Sequence, residues 1–138
     1  MRLLIVGGPK TGKTTLAKQL GELHKCSVYA TDDLKEKPWS WASQEASFWF
    51  DRSGPWIIEG TMAVRALRKW LRRNETGLPF DNMEYLTMPY SELTQGQASM
   101  AKAVNTIMNE IALELIKRIK EKDNHETQTR TSQTHPTT

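Results

Sequence analysis

Eight residues near the start of the chain have the types and spacing needed to hold a phosphate group. From Gly7 to Thr14 they fit the pattern Gly, four residues of any type, Gly, Lys and then Ser or Thr. Glycines let several backbone N–H groups converge on phosphate oxygens, Lys13 supplies a positive charge, and the Thr14 hydroxyl can ligate Mg²⁺. We call residues 7–14 the glycine loop. The predicted phosphate-binding residues are Gly7, Gly8, Pro9, Lys10, Thr11, Gly12, Lys13, Thr14 and Thr15.

Three carboxylates follow predicted strands at points where they could serve the same phosphate. Asp32 and Asp33 come directly after the strand-forming stretch 27–31, and Glu59 follows the apolar stretch 55–58. Ligands of parallel sheets bind beyond the carboxyl ends of the strands, so we expect these side chains beside the glycine loop. There they can hold Mg²⁺ or accept the proton of an attacking hydroxyl. The alternatives are that the two Asp residues only cap the next helix and that Glu59 is a solvated strand-end group.

Five basic residues between positions 65 and 73 recur at helical spacing. A helix would place them on one face, opposite its apolar residues. Such a stripe can bind polyphosphate or a nucleic-acid backbone, and the alternative is an ordinary solvated face. We call these residues the basic stripe: Arg65, Arg68, Lys69, Arg72 and Arg73.

Aromatic residues are concentrated between the second and third predicted strands. The chain has five Trp, and four of them lie between residues 39 and 56. Large aromatic side chains are usually buried, so we expect Trp49 and Trp56 in the core. Trp39 lies in a loop beside Pro38, where its ring could stack on a ligand.

The elements that must position these residues alternate along the chain. Short apolar runs rich in strand formers predict four strands, at 3–6, 27–31, 55–58 and 83–88. Apolar residues at helical spacing predict four helices, near 14–24, 41–52, 62–73 and 97–120. Alternating strands and helices favour an α/β fold with a parallel sheet covered on both faces.

Composition narrows the class of protein. The chain has 138 residues, a net charge of +3 and one cysteine, Cys26, which cannot form an internal disulfide. A single thiol favours a reducing compartment, and no apolar run approaches the roughly 20 residues that span a bilayer. We therefore expect a cytoplasmic protein with no membrane anchor. Residues 1–120 are predicted to form one domain, followed by a disordered polar tail at 121–138.

The glycine loop resembles the Walker A motif of the P-loop NTPases. The acidic residue and glycine at Glu59 and Gly60 are similar to the strand end of nucleoside, nucleotide and other small-molecule P-loop kinases. The resemblance covers residues 1 to about 90. The kinases of this superfamily include the polynucleotide 5′-kinases. It implies a three-layer fold with a parallel sheet of four or five strands, in which the Glu59 strand lies beside the strand before the glycine loop. It also implies ATP and Mg²⁺ as ligands.

The same resemblance implies roles for individual residues. The catalytic group would comprise Lys13, Asp32 and Arg65, and Mg²⁺ would be held by Thr14, Glu59 and Asp32. Asp32 matches the family's acceptor-orienting Asp better than Asp33, because it is followed by a polar residue and then an apolar one. Arg65 would neutralise charge on the transferring phosphoryl group.

The expected function is transfer of the γ-phosphate of ATP to a small acceptor such as a nucleoside or nucleotide. One alternative is a nucleic-acid-directed kinase or NTPase that acts on a 5′ end or a base hydroxyl and uses the basic stripe. Another is a truncated regulatory or inactive NTPase, or an ATP hydrolase. It is motivated by two departures from the family: no fifth strand is visible, and no arginine occurs between Arg73 and Arg118 to serve a lid. Lys102 is the one candidate replacement in that interval.

Overall fold

The computed structural model describes residues 1–134, with the surroundings of side chains described for residues 1–124. A 3₁₀ turn at Thr31–Leu34 connects the second strand to the second helix. The elements are β1 (Arg2–Gly7), α1 (Lys13–His24), β2 (Ser27–Ala30), α2 (Trp39–Trp49), β3 (Trp56–Gly60), α3 (Ala63–Arg73), β4 (Asn82–Leu86) and α4 (Gln95–Thr134).

The four strands form one parallel sheet in the order β2-β3-β1-β4. β1 is central, and its residue Ile5 lies opposite Glu59 of β3 on one side and Glu84 of β4 on the other. The apolar run of β1 is buried because a central parallel strand is covered on both faces. The predicted parallel sheet of four strands is therefore confirmed, and the Glu59 strand lies directly beside the strand that leads into the glycine loop.

Helices cover both faces of this sheet. Alternate side chains of β1, Leu3 and Ile5, pack with Ala17 of α1 on one face. Leu4 and Val6 point to the opposite face, where α2, α3 and α4 form the larger part of the core. This arrangement is a three-layer α/β architecture. Trp49 and Trp56 lie in the larger core, as the sequence predicts.

The element boundaries differ from the predicted ones at two places that bear on the site. β2 ends at Ala30 and not at Thr31. Thr31 is buried and lies in the 3₁₀ turn with the two following Asp residues. α2 begins at Trp39, two positions before the predicted start near residue 41, because Pro38 precedes it with a carbonyl that accepts the N–H of Ala42. Trp39 is therefore a helix residue.

The last helix is longer than its apolar pattern indicates. α4 continues through polar residues to Thr134, so the predicted end near Lys120 was wrong. Its apolar residues Val104, Ile107, Ile111 and Leu115 pack on the core. Residues 135–138 of the predicted tail lie outside the described part of the chain, and disorder of the tail stays a prediction. Over residues 1–134, no helix combines the length and apolar character needed to cross a membrane.

Candidate functional site

The glycine loop joins the end of β1 to the start of α1. Its backbone enters the left-handed region at Lys10, with φ of 57°, and at Gly12, with φ of 88°, directly before the helix. A Cβ on Gly12 would meet no atom within 4 Å, so the requirement for glycine there is conformational and not steric. This turn brings the free N–H groups at the start of α1 to the carboxyl edge of the sheet, where they favour an anion.

Lys13 is the buried cation of this loop, with 7% of its surface exposed. Its ammonium donates hydrogen bonds to the carbonyl of Gly8 and to Thr11 Oγ1, so the side chain folds back along the loop. Burial lowers the pKa of Lys13 below its ordinary value, while the negative charges of Glu59 and Asp32 raise it in part. A bound anion strongly stabilises the charge of a buried, poorly hydrated cation, so Lys13 is suited to contact a phosphate.

Glu59 is the buried carboxylate that faces this cation across the site, with 2% of its surface exposed. Thr14 Oγ1 donates a hydrogen bond of 3.2 Å to Glu59 Oε1 and so links α1 to β3. Burial raises the pKa of the Glu59 carboxyl, and the bond from Thr14 and the charge of Lys13 lower it in part. The strand end thus holds Glu59 against the first turn of α1, and it is not a solvated group.

A cavity of about 320 Å³ brings the predicted residues together at the ends of β1, β2 and β3. It contains Lys13, Thr14, Asp32 and Glu59, whereas Asp33 does not line it. The 3₁₀ turn after β2 directs these two adjacent Asp residues differently. The full lining is Pro9, Lys10, Lys13, Thr14, Thr31, Asp32, Lys35, Trp39, Glu59, Gly60, Thr61, Met62, Gln97 and Met100.

The start of α4 contributes a wall of the cavity that sequence reasoning missed. Gln97 and Met100 line it, and a Cβ on Gly8 would come within 2.8 Å of Ala101 Cβ, so α4 packs directly on the glycine loop. The one sequence signal was the pair Thr94 and Gln97, which is typical of a helix start. Gln97 Oε1 accepts the N–H of Thr94 at 3.0 Å, and the Thr94 hydroxyl accepts the N–H of Gln97 at 3.2 Å.

The segment between β4 and α4 is tied to the apex of the glycine loop. The N–H of Tyr90 donates to the Lys10 carbonyl at 2.8 Å, and the Lys10 ammonium donates to the carbonyl of Glu92 at 2.9 Å. Both the backbone carbonyl and the side-chain ammonium of Lys10 are therefore hydrogen-bonded within the chain. This connection fixes the loop between the last strand and the long helix.

Arg65 does not line the cavity that contains Lys13 and Asp32. Its guanidinium lies over the ring of Trp39, 5.0 Å from the centroid, and Trp39 itself lines that cavity. Arg65 and Lys102 line a separate open cavity on α3 and α4. Arg65 therefore contacts a residue of the cavity wall, Trp39, without lining the cavity itself. Lys102 does not line the cavity either.

The rest of the basic stripe is divided between two neighbouring helices. Arg68 and Arg72 both bind Glu110 of α4, at 2.8 Å and 3.3 Å. On the side of α2, the Lys69 ammonium donates to the carbonyl of Ser40 at 2.8 Å. Arg73 binds Asp51 at 3.2 Å and Ser47 Oγ at 3.0 Å. Arg72 and Arg73 are exposed to solvent, and the stripe also connects α3 to its neighbours through these contacts.

Another cavity, of about 430 Å³, lies between α3 and α4, away from the glycine loop. Its charged lining is three arginines, Arg68, Arg72 and Arg118, and three glutamates, Glu75, Glu110 and Glu114, of which all but Glu75 are in ion pairs. Because the positive and negative charges of this groove balance, it attracts a phosphate less than the glycine-loop cavity does.

The oxygen donors of the glycine-loop cavity suit a hard cation such as Mg²⁺. Thr14 and Glu59 are in contact and Asp32 lies in the same cavity. Within the described side chains, no three or more His, Cys, Asp and Glu residues gather as a metal-binding group. Mg²⁺ commonly takes one or two carboxylates and completes its shell with phosphate oxygens and water, so these residues fit an ion that arrives with a nucleotide.

No model of a known protein family matches this chain, and no curated protein matches its sequence significantly. The assignment of a function therefore depends on the residues of the site and their geometry.

Proposed function

We propose that this protein is a P-loop kinase that binds ATP with Mg²⁺ and transfers the γ-phosphoryl group to a small acceptor. The observation that carries the proposal is one cavity containing a buried lysine, a buried carboxylate and a second carboxylate. These are Lys13, Glu59 and Asp32, at the ends of three adjacent parallel strands. Opposite charges around a loop of free N–H groups are the arrangement that phosphoryl transfer requires.

Each residue has a distinct part in this proposal. Lys13 and the N–H groups of the glycine loop would bind the β and γ phosphates of ATP. Thr14, Glu59 and Asp32 would hold Mg²⁺, which neutralises phosphate charge when it is bound. The role of Arg65 in neutralising the transferring group stays a prediction, since the residue contacts Trp39.

The acceptor would be a hydroxyl or phosphate group on a nucleoside or nucleotide. Its oxygen attacks the γ-phosphorus, the bond from that phosphorus to the β–γ bridging oxygen breaks, and ADP leaves. For a hydroxyl acceptor, the Asp32 carboxylate orients the group and takes its proton. Asp32 is exposed within the cavity, so an acceptor can reach it.

The contacts of the basic stripe favour a small acceptor over a nucleic acid. Binding of a polymer backbone requires several cations that are free to contact phosphates. Arg68, Arg72 and Arg73 are in ion pairs, and Lys69 is bonded to a carbonyl. A nucleic acid would have to displace these contacts.

Titration with fluorescently labelled ATP in the presence of Mg²⁺ tests the first step. We expect saturable binding that Lys13→Ala abolishes and that the control Lys18→Ala, an exposed lysine on the same helix, leaves unchanged. The second step is tested with [γ-³²P]ATP against nucleosides, nucleotides and oligonucleotides. Absence of saturable ATP binding would refute the proposal, and hydrolysis without transfer to any acceptor would restrict it to an NTPase.

A further inference from the structure

Trp39 is a large aromatic residue that lines the proposed catalytic cavity with 45% of its surface exposed. Tryptophan is usually largely buried, so an exposed indole ring in the wall of a cavity that also contains Lys13 needs an explanation. Asp32 and Glu59 line the same cavity. The ring thus shares a cavity with Asp32, the group that would orient an acceptor.

A cation of α3 lies over this ring, and the backbone that carries the ring is hydrogen-bonded to side chains of α2 and α3. The guanidinium of Arg65 on α3 lies over the indole, where it is attracted by the negative face of the ring. The Trp39 carbonyl accepts a hydrogen bond of 2.8 Å from Ser43 Oγ, and Lys69 binds the adjacent carbonyl of Ser40. These contacts tie the backbone of Trp39 into the start of α2 and place a cation on its ring.

Trp41 provides an internal comparison on the same helix. It is 49% exposed and has a cation, the Lys37 ammonium, 5.5 Å from its ring centroid. It does not line the cavity. Exposure and a neighbouring cation are common to both residues, and only Trp39 combines them with access to Asp32.

We infer that Trp39 is the stacking platform for a planar heterocyclic ring of the acceptor, and that Arg65 is a positioning residue that holds this platform. The inference rests on the proposed function and specifies its substrate class. A stacked base contributes about 1–3 kcal/mol to binding, which corresponds to roughly 5-fold to 150-fold in affinity. A ring stacked there would leave the sugar or phosphate of the same molecule to reach Asp32.

The test measures binding without ATP, so it does not depend on catalysis. The probes are AMP, GMP, CMP, UMP and their nucleosides, which we call ring-containing because they carry a heterocyclic base. Ribose 5-phosphate is the probe that lacks the base. We expect at least one ring-containing probe to bind at least about tenfold more tightly than ribose 5-phosphate, and Trp39→Leu to remove that advantage. Trp39→Phe should retain most of it, and the control Trp41→Leu should retain all of it. Arg65→Gln should weaken the ring-containing probe severalfold.

A second measurement detects binding in the unmodified protein and needs a variant only to assign one signal. In a ¹⁵N spectrum of the unmodified protein, the indole N–H signal of Trp39 is identified by its loss in Trp39→Phe. That signal should shift with the bound nucleotide and not with ribose 5-phosphate. Equal binding of both kinds of probe, no binding of any ring-containing probe, or equal effects of Trp39→Leu and Trp41→Leu would overturn the inference.

The outcomes separate the inference from the proposed function. ATP binding that requires Lys13, together with ring binding that is indifferent to Trp39, leaves the kinase proposal standing and refutes the platform. Binding of a base that requires Trp39, in a protein that does not bind ATP, would support the platform and refute the kinase proposal. Nucleosides that bind as tightly as their monophosphates would identify the acceptor as a nucleoside, and tighter monophosphates would identify a nucleotide.

Discussion

The hydroxyl of Thr14 donates a 3.2 Å hydrogen bond to Oε1 of Glu59, although the two residues are 45 positions apart in the chain. Thr14 lies in the first turn of α1, and Glu59 lies near the end of β3. The bond joins the glycine loop to the neighbouring strand and places a hydroxyl oxygen beside a buried carboxylate.

Glu59→Gln should change how stability depends on pH. Burial raises the pKa of the Glu59 carboxyl above its ordinary value of 4.5. A group with a raised pKa contributes stability below its unfolded value and loses that contribution as the pH rises through the folded value. The free energy of unfolding of the variant, minus that of the unmodified protein, should therefore increase as the pH rises above the ordinary pKa of 4.5. Urea unfolding at several pH values measures this difference, and a constant or decreasing difference would contradict the assignment.

Asp32→Asn should lower the rate of phosphoryl transfer while ATP affinity stays within a few-fold. Loss of a positioned base typically costs about 100-fold or more in turnover. Asp33→Asn is the matched control, because this neighbouring carboxylate does not line the cavity. Transfer of ³²P to a hydroxyl acceptor found in the screen measures both variants. A loss confined to Asp33→Asn would assign the role to Asp33.

Replacement of both Arg68 and Arg72 by Gln should destabilise the protein modestly. It removes two partly exposed ion pairs to Glu110, each worth about 0–1 kcal/mol. The loss in free energy of unfolding should shrink in about 1 M NaCl, because salt screens exposed charges. Lys18→Gln is the control on another exposed helix face. The same double variant tests the nucleic-acid alternative. If that alternative holds, the variant should bind DNA or RNA more weakly than the unmodified protein does, and its affinity should depend less on salt.

Truncation of α4 should have little effect on stability until it reaches Arg118. This side chain is buried and donates hydrogen bonds to the carbonyls of Leu71 and Gly77. A chain that ends at Asn124 keeps those bonds and should keep its melting temperature. A chain that ends at Lys117 leaves both carbonyls without this partner and should melt several degrees lower, as expected for a loss of about 1 kcal/mol or more. A large fall for the longer chain would show that residues 125–138 stabilise the domain.

The strands and the glycine loop could be predicted from the sequence because their signals are local. An apolar run of four to six residues favours a buried parallel strand. Gly12 favours a turn in the left-handed backbone region, which glycine adopts readily. The rule that ligands collect at the carboxyl ends of parallel strands then placed Asp32 and Glu59 in one region. The cavity contains both of them, together with Lys13 and Thr14.

The partners of the helices could not be predicted in this way. Helical spacing showed that the basic stripe shares one side of α3, but it carries no information about the helices packed on either flank. The contacts of Arg68 with Glu110, of Arg73 with Asp51 and of Arg65 with the Trp39 ring depend on how three helices cross. The packing of Ala101 on Gly8, which brings α4 to the glycine loop, has the same origin. Local sequence determines which residues share a strand end or a helix face, and only the tertiary packing determines which distant residues those faces meet.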